Sequence, residues 1–148
     1  MATNNSVTVQ VADAMVAELN AGPFDPALGA TRLYRPEFDL AQLKTTQVTL
    51  VPKKIEITNI ARNANQYDVS IDVAVQKKVD LANQADLDGL MALVEQIGEF
   101  FRLRRLTLAG GGSALWAKTE NDPIFAPEHL ETKQVFTSVL TLTFKVTR

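Results

Sequence analysis

His129 is the only histidine of the chain, so it is the first candidate for general acid–base chemistry. A histidine activates a nucleophile when a carboxylate orients its ring. The chain has no Gly-x-Ser-x-Gly motif, and His129 stands in a loop-like segment with Pro123 and Pro127. The sequence therefore favours a surface or packing role for His129. A small cofactor-free enzyme that uses His129 with acidic partners is the competing hypothesis.

The carboxylates form two sequence pairs, and neither has the spacing of a reactive site. Asp68 and Asp72 are on one face of a predicted strand and ~13 Å apart. That separation is too long for a shared proton or metal ion, so we interpret both as solvent-facing charges or as ion-pair partners across an interface. Asp86 and Asp88 stand in the first turn of a predicted helix, where negative charge complements the helix dipole. Because the chain has no cysteine, disulfides, thiolate metal sites and cysteine nucleophiles are excluded.

Three arginines near aromatic residues raise the possibility of a nucleic-acid site. Arg102, Arg104 and Arg105 lie in the segment Phe100–Leu106, and Trp116 follows shortly after. The chain has 15 basic and 17 acidic residues and a formal net charge of −2, which gives phosphate binding little support. We therefore interpret the arginines as charges at the end of a helix, solvated or in an interface. Trp116 fits either a core anchor or an interface hot spot.

The strand that positions these residues is Gln66–Lys78. Its two alternating sets are Tyr67, Val69, Ile71, Val73 and Val75 on one face and Asp68, Ser70, Asp72, Ala74 and Gln76 on the other. Such alternation is typical of an antiparallel sheet with one face on a core and the other in water or against a partner. Turn residues around Asn63 predict that Ile55–Ala61 forms a hairpin with this strand.

Two helices are predicted. The first is capped by Ser6 or Thr8 and runs to about Asn20, although the valines of Val7–Val11 would also fit a short strand. The main helix is capped by Asn83 and runs to about Arg105. The fold class is therefore α+β, with a mostly antiparallel sheet, a long helix packed on one face and a shorter N-terminal helix.

The other strand candidates are Arg32–Arg35, Val48–Val51, Ser113–Lys118 and Lys133–Arg148. Pro52 ends the second of them, and Gly110–Gly112 forms a turn after the main helix. The triple glycine is not followed by Lys-Ser/Thr, so it does not predict a phosphate-binding loop. Residues 107–131 are expected to include an extended loop or arm that reaches a neighbouring molecule.

Two predicted strands, Gln66–Lys78 and Lys133–Arg148, are unusually long. Strands of about a dozen residues reach ~40 Å, beyond the usual strand length. A sheet of that length would extend past its own core and would be prone to aggregate unless another chain covers it. Bent or bulged strands that wrap a single core are the alternative.

The bulk properties predict one domain over residues 1–148. The chain is 46% hydrophobic, which is enough for a core, and no apolar run is long enough to span a membrane. Its first residues lack the charged start and apolar block of a signal peptide. We expect a protein that is made in a reducing cytosol and stays there or in a particle assembled there.

Several stretches together resemble a known protein family. They are Val11–Leu19 with Pro23 and Phe24, Arg32–Pro36 with Asp39 and Leu40, Val48–Pro52, Arg62 before Tyr67–Val69, Gln76–Lys78, Pro123, Pro127–Leu130 and Phe136–Val139. Their order is similar to that of small structural proteins of bacteriophage tails and necks, most of all tail-terminator or tail-completion proteins. The resemblance covers most of the chain.

The resemblance implies a virion protein without catalytic residues, cofactor or metal. Such proteins form rings, commonly hexamers, that cap the tail tube, meet the head–tail connector and let DNA pass through the lumen. Other neck, adaptor or tail-tube rings are the alternative, and an enzyme or a nucleic-acid-binding module is a weaker one. The expected contacts between subunits involve Asp68, Asp72, Arg102, Arg104, Arg105, Trp116, Phe125, His129, Thr137 and Val139.

Overall fold

A computed structural model describes residues 6–24, 28–34, 42–80, 82–121 and 124–148, and in them six strands form one mixed sheet. The strands are β1 (Thr31–Arg32), β2 (Gln47–Ala61), β3 (Ala64–Lys78), β4 (Arg105–Thr107), β5 (Ser113–Glu120) and β6 (Val135–Thr147). The helices are α1 (Val7–Ala21), α2 (Gln84–Phe101) and α3 (Pro127–Lys133), with a 3-10 turn at Gln42–Lys44. The order across the sheet is β1-β2-β3-β6-β5-β4, and only the β1–β2 pair is parallel. The predicted α+β class is therefore confirmed.

The two faces of the sheet differ in polarity, as the alternation in β3 predicted. Val69 lies opposite Phe144 and Ile71 opposite Leu142, and residues that oppose each other on neighbouring strands share a face. All four are buried. We call this side the inner face and the opposite side, which carries Asp72, the outer face.

Helix α1 begins where its cap predicted and packs on the inner face. The Ser6 hydroxyl accepts a hydrogen bond from the Val9 amide at 3.1 Å, which satisfies one free donor of the first turn. Val11, Met15 and Leu19 are buried in the same hydrophobic cluster as the inner-face strands. The helix prediction for this segment is confirmed, and the alternative of a short strand is wrong.

Helix α2 begins as predicted but ends four residues early. The Asn83 side chain accepts from the Asp86 amide at 3.2 Å at its start. The prediction that it continues to about Arg105 is wrong: the helix ends at Phe101, and Leu103 has a φ of 60°. Arg105 belongs to β4, where it pairs with Leu115 of β5 instead of forming the last turn of the predicted helix. The three helices of the described residues are 7 to 18 residues long.

Strand β2 is continuous through Pro52, which was expected to end it. The pairing with β3 continues on both sides of the proline, with a register shift between Pro52 and Lys54. Proline lacks an amide donor, but edge strands and bulges tolerate it. Both conditions hold here, so the two predicted segments form one strand of 15 residues. The predicted hairpin with β3 is confirmed.

Residues 107–131 contain more regular structure than the predicted loop or arm. The strand expected at Ser113–Lys118 is present as β5, and α3 begins at Pro127. The backbone of Ala126 donates to the carbonyl of Thr137 at 2.9 Å, which holds the chain before α3 against β6. Contact of this region with another molecule stays a prediction. Arg35, Pro36 and residues 39–41 lie outside the described residues.

The triple glycine is the turn of the β4–β5 hairpin and is held against α1. Gly111 and Gly112 have φ values of 92° and 88°, which L side chains rarely adopt. The buried Gln10 side chain accepts from the Gly110 amide at 3.2 Å and from the Arg148 guanidinium at 2.9 Å. One side chain of α1 thus fixes both the turn and the chain terminus.

Candidate functional site

The tip of the β2–β3 hairpin carries apolar side chains that the other described residues leave exposed. Ile55 lies opposite Val69 and Ile57 opposite Tyr67, so both isoleucines belong to the inner face. Val69 is fully buried, yet Ile55 is 40% exposed and Ile57 is 56% exposed. Ile60, beside the turn, is 50% exposed. We call Ile55, Ile57 and Ile60 the hairpin patch. The patch lies on β2, whereas β3 and β6, the strands that were predicted to extend past the core, are buried or half-buried over most of their length.

The edge of β2 beside this patch has no strand partner over most of its length among residues 6–24, 28–34, 42–80, 82–121 and 124–148. Within the described residues, β1 pairs with β2 only at Thr49 and Leu50. Free backbone donors and acceptors on such an edge can pair with another chain. Lys53 and Lys54 lie on the edge, and lysines are common on exposed edges because they discourage unspecific pairing.

The opposite edge of the sheet also has a free segment. In the described part of the chain, β4 pairs with β5 only over residues 113–115. The backbone of Trp116 donates to the Arg104 carbonyl at 3.1 Å, and no further strand pairs with residues 117–120 on that side. Among the described residues, each edge of the sheet therefore has one strand segment without a strand partner.

A groove of about 610 Å³ lies between α2 and β5, next to this second free edge. Val94, Gly98, Trp116, Ile124 and Leu140 line it. Gly98 leaves room there because it has no side chain, and Ile124 is 50% exposed. We call this feature the α2–β5 groove. Glu95, Glu99, Arg102, Thr119 and Asn121 line it as well, so the groove offers both apolar and polar contacts.

The predicted contact residues Asp68 and Asp72 lie on the outer face in a polar network. Asp72 accepts from the Thr141 hydroxyl at 2.7 Å, with the Lys53 ammonium 3.8 Å away. Asp68 accepts from the Gln66 amide nitrogen at 3.2 Å. Their charges are thus partly satisfied within the chain, and their role in contacts between subunits stays a prediction.

Charged residues of β2 and β5 lie within the same shallow outer-face cavity of about 250 Å³. Lys54 lies 3.7 Å from Glu56, and Lys118 lies 3.0 Å from Glu120. A hydrogen bond from Lys118 and its positive charge hold the pKa of Glu120 below its ordinary value. Both pairs are exposed, so solvent weakens them.

The three arginines lie in different surroundings. Arg104 donates to the Phe100 carbonyl at 2.9 Å, its guanidinium is 3.8 Å from the centre of the Phe100 ring, and it lies 3.6 Å from Glu18. It therefore fastens the end of α2 to α1. Arg102 caps α2 at the rim of the α2–β5 groove, and Arg105 is exposed on β4.

The predicted contact residues Trp116 and Phe125 pack partly against their own core. The Trp116 indole donates to the Thr119 hydroxyl at 2.9 Å, and one side of it lines the α2–β5 groove. Phe125 packs on Phe136, with ring centres 6.3 Å apart. Trp116 thus packs on the core, one of the two roles that the sequence left open, and its contact with a partner stays a prediction.

The structure brings His129 together with Thr137. The Nδ1 atom of His129 lies 3.0 Å from the Thr137 hydroxyl, and Thr137 is only 7% exposed. A threonine this deeply buried has little surface left for another subunit. Val139, its neighbour on the same face, lies opposite Ala74 and is half-buried.

Among the described residues, no group of three or more His, Asp or Glu residues is arranged to hold a metal ion. No helix in the described ranges is long and apolar enough to cross a bilayer. No protein-family model matches the chain, and no curated protein matches it.

The sequence interpretation missed the hairpin patch. The alternation of Ile55 and Ile57 with Glu56 was visible, and it correctly indicated a strand. Alternation shows which side chains share a face, but it does not show whether a helix covers that face. The helix positions leave this end of β2 uncovered, and the sequence pattern alone does not give those positions.

Proposed function

We propose that the protein is a structural protein of a tailed-bacteriophage virion, a tail terminator that forms a ring at the top of the tail. Its ring, of six subunits, caps the tail tube and joins it to the head connector. The observation that carries the proposal is the hairpin patch, an apolar surface beside a free strand edge. The resemblance of the sequence to tail-terminator proteins supplies the particular role.

A ring is an effective way to cover such a surface. Exposed apolar patches beside free strand edges promote unspecific association when they remain open. A head-to-tail contact repeated around a closed ring covers the same patch on every copy and leaves no end. The two free edges lie on opposite sides of the sheet, so each subunit could contact two neighbours through different surfaces.

The remaining features of the protomer fit this role. We take α2, with 18 residues, as the long helix that the sequence pattern predicted across one face of the sheet, and the resemblance implies a sheet flanked by helices. A formal net charge of −2 suits a lumen through which DNA slides, because a strongly basic lumen would hold the phosphates. The partners are then the tail-tube protein, the connector and other neck proteins, and DNA only in passing. Assembly takes place in the host cytoplasm.

Two other roles have less support. A nucleic-acid-binding module would need Arg102, Arg104 and Arg105 on one surface, whereas Arg104 is engaged by Phe100 and Glu18. An enzyme based on His129 would need a nucleophile and an orienting carboxylate. The partner found for its ring is Thr137, whose side chain is buried. Another ring of the neck or tail is the closest alternative, and it shares the assembly argument.

Electron microscopy of particles formed with and without this protein tests the role. We expect tails of uniform length, with a labelled copy of the protein at the head-proximal end, only when the protein is present. Tails without it should have irregular length or fail to join heads. Normal particles that never contain the protein would overturn the proposal. A label at another level of the tail would favour a different ring.

A further inference from the structure

We infer that one ordered water molecule binds inside the subunit, between the Thr49 hydroxyl of β2 and the side-chain carbonyl of Gln76 on β3. The site is on the outer face of the sheet, near the end where β2 begins and β3 ends. It lies within one subunit, so the inference goes beyond the proposed function and does not depend on the virion role.

The site contains two buried polar atoms that have no hydrogen-bond partner in the described part of the chain. They are Oγ1 of Thr49 and Oε1 of Gln76. Thr49 is fully buried and Gln76 is only 8% exposed. Leaving a buried hydroxyl or carbonyl unpaired is unfavourable, and in folded proteins nearly all such groups bond to protein or to ordered water. Two unpaired atoms in adjacent positions therefore indicate a shared ligand.

The strand register places these two residues beside each other. Thr49 lies directly opposite Ala74, and Gln76 is the next residue of β3 on the same face. Such diagonal neighbours on antiparallel strands have Cβ atoms less than ~8 Å apart, a gap that the longer Gln76 side chain shortens. Ala74 is buried and contributes only a methyl group, so it leaves room between the two polar side chains.

The other end of the Gln76 amide fixes its orientation. Nε2 of Gln76 donates to the Thr137 hydroxyl of β6 at 3.5 Å. Because β3 lies between β6 and β2, the carbonyl end of the same amide is directed towards β2 and Thr49. Thr137 is held in turn by Nδ1 of His129, which lies 3.0 Å from its hydroxyl.

Water has the hydrogen-bonding groups that this site requires. It donates one hydrogen to Oε1 of Gln76 and accepts the hydrogen of the Thr49 hydroxyl, and buried water molecules make two to four such bonds. Neither side chain carries a charge, so an ion in this buried place would lack a counter-charge from them. With the water in place, a hydrogen-bonded path from Thr49 through Gln76 and Thr137 to His129 joins β2 to α3.

A crystal structure of the unaltered protein, at a resolution that shows ordered water, tests the site directly. We expect one water molecule at about 2.7–3.0 Å from both Oγ1 of Thr49 and Oε1 of Gln76. A direct bond between the two side chains would overturn the inference. Another group of the chain in the place of the water would overturn it as well.

The sign of a stability change provides a second test. Thr49→Val keeps the shape of the side chain and removes its hydroxyl, so it should lower the equilibrium constant for folding about three- to tenfold if that hydroxyl binds water. Thr143→Val is the matched control, because Thr143 is also buried on the outer face and its hydroxyl lies 3.0 Å from that of Ser70. Urea unfolding followed by Trp116 fluorescence measures both constants. If Thr49→Val instead raises the constant, its hydroxyl is unpaired and the inference is wrong.

A double-variant cycle tests whether Thr49 and Gln76 share one ligand. Gln76→Met removes the carbonyl that accepts from the water, so the loss caused by Thr49→Val should be smaller in the Gln76→Met background. Equal losses from Thr49→Val in the two backgrounds would contradict a shared water molecule.

Discussion

Replacing Ile57 by threonine should weaken assembly while leaving the single subunit nearly as stable as before. Threonine keeps the β-branched shape that suits a strand, so the change mainly removes apolar surface. Burying an isoleucine completely contributes about 1.5–3 kcal/mol. Because Ile57 is 56% exposed, only about half of that, ~1 kcal/mol, is realised within one chain.

The same substitution at Ile71 is the matched control. Ile71 is fully buried on the same face of the same hairpin. Ile71→Thr loses the whole burial contribution and places a hydroxyl in an apolar environment, so we expect a cost of about 3–5 kcal/mol. Ile57→Thr should lower the free energy of unfolding by less than about 1 kcal/mol.

Two measurements separate the effects. Urea unfolding, followed by Trp116 fluorescence in dilute protein, gives the stability of the subunit, and sedimentation velocity at higher concentration gives its association. Burying the exposed half of Ile57 contributes ~1 kcal/mol to the free energy of association at each contact between subunits. Ile57→Thr should therefore raise the dissociation constant about fivefold. Equal stability losses at Ile57 and Ile71, or unchanged association, would refute the reasoning.

Three further predictions concern the subunit itself. Gly112→Ala should lower the free energy of unfolding by about 1–2 kcal/mol, because the φ of Gly112 is 88°. Gly89→Ala, in a helix with open space around the position, should raise this free energy by about 0.5–1 kcal/mol. Thermal or urea unfolding measures both changes. Gln10→Ala should lower the free energy of unfolding by about 1–3 kcal/mol, because the Gly110 amide and the Arg148 guanidinium both lose their acceptor. It should also speed amide hydrogen exchange in the β4–β5 turn. Lys118→Met should raise the pKa of Glu120 towards its ordinary value in a carboxylate NMR titration. With its folded pKa below the unfolded one, Glu120 stabilises the fold above the unfolded pKa, and this contribution disappears as the pH falls through the folded pKa.

Local sequence patterns were sufficient to predict α1 and the central hairpin. A hydroxyl cap at Ser6 and a four-residue apolar spacing define the helix, and strict alternation defines β3. Both signals act over short distances in the chain, so no knowledge of the tertiary structure was needed. The faces of β3 were assigned correctly for the same reason.

Errors arose where tertiary pairing outweighs local preference. Leu103, Arg104 and Arg105 are good helix formers, so nothing local predicted the end of α2 at Phe101. The chain turns there because Arg105 pairs with β5 and Arg104 bonds back to Phe100. Similarly, a proline normally ends a strand. Strand β2 continues through Pro52 because this residue lies on an edge of the sheet and beside a β-bulge.

The candidate site was predicted only in outline. The strands predicted to be overlong, β3 and β6, are buried or half-buried over most of their length, and the exposed isoleucines lie on β2. Arg104 bonds within the chain and Thr137 is buried in the single subunit, and their contacts with other subunits stay predictions. Exposure depends on which strands the helices cover, and that follows from packing rather than from alternation. Ile57 could have been recognised only from the helix positions.

The most direct test of self-assembly through the hairpin patch is the mass of the purified protein over a range of concentrations, measured by sedimentation or light scattering. We predict a closed species at a fixed multiple of the subunit mass, six for the proposed ring, that Ile57→Thr shifts towards the monomer. A single subunit at every concentration, with the exposed hairpin stable in solution, would contradict self-assembly.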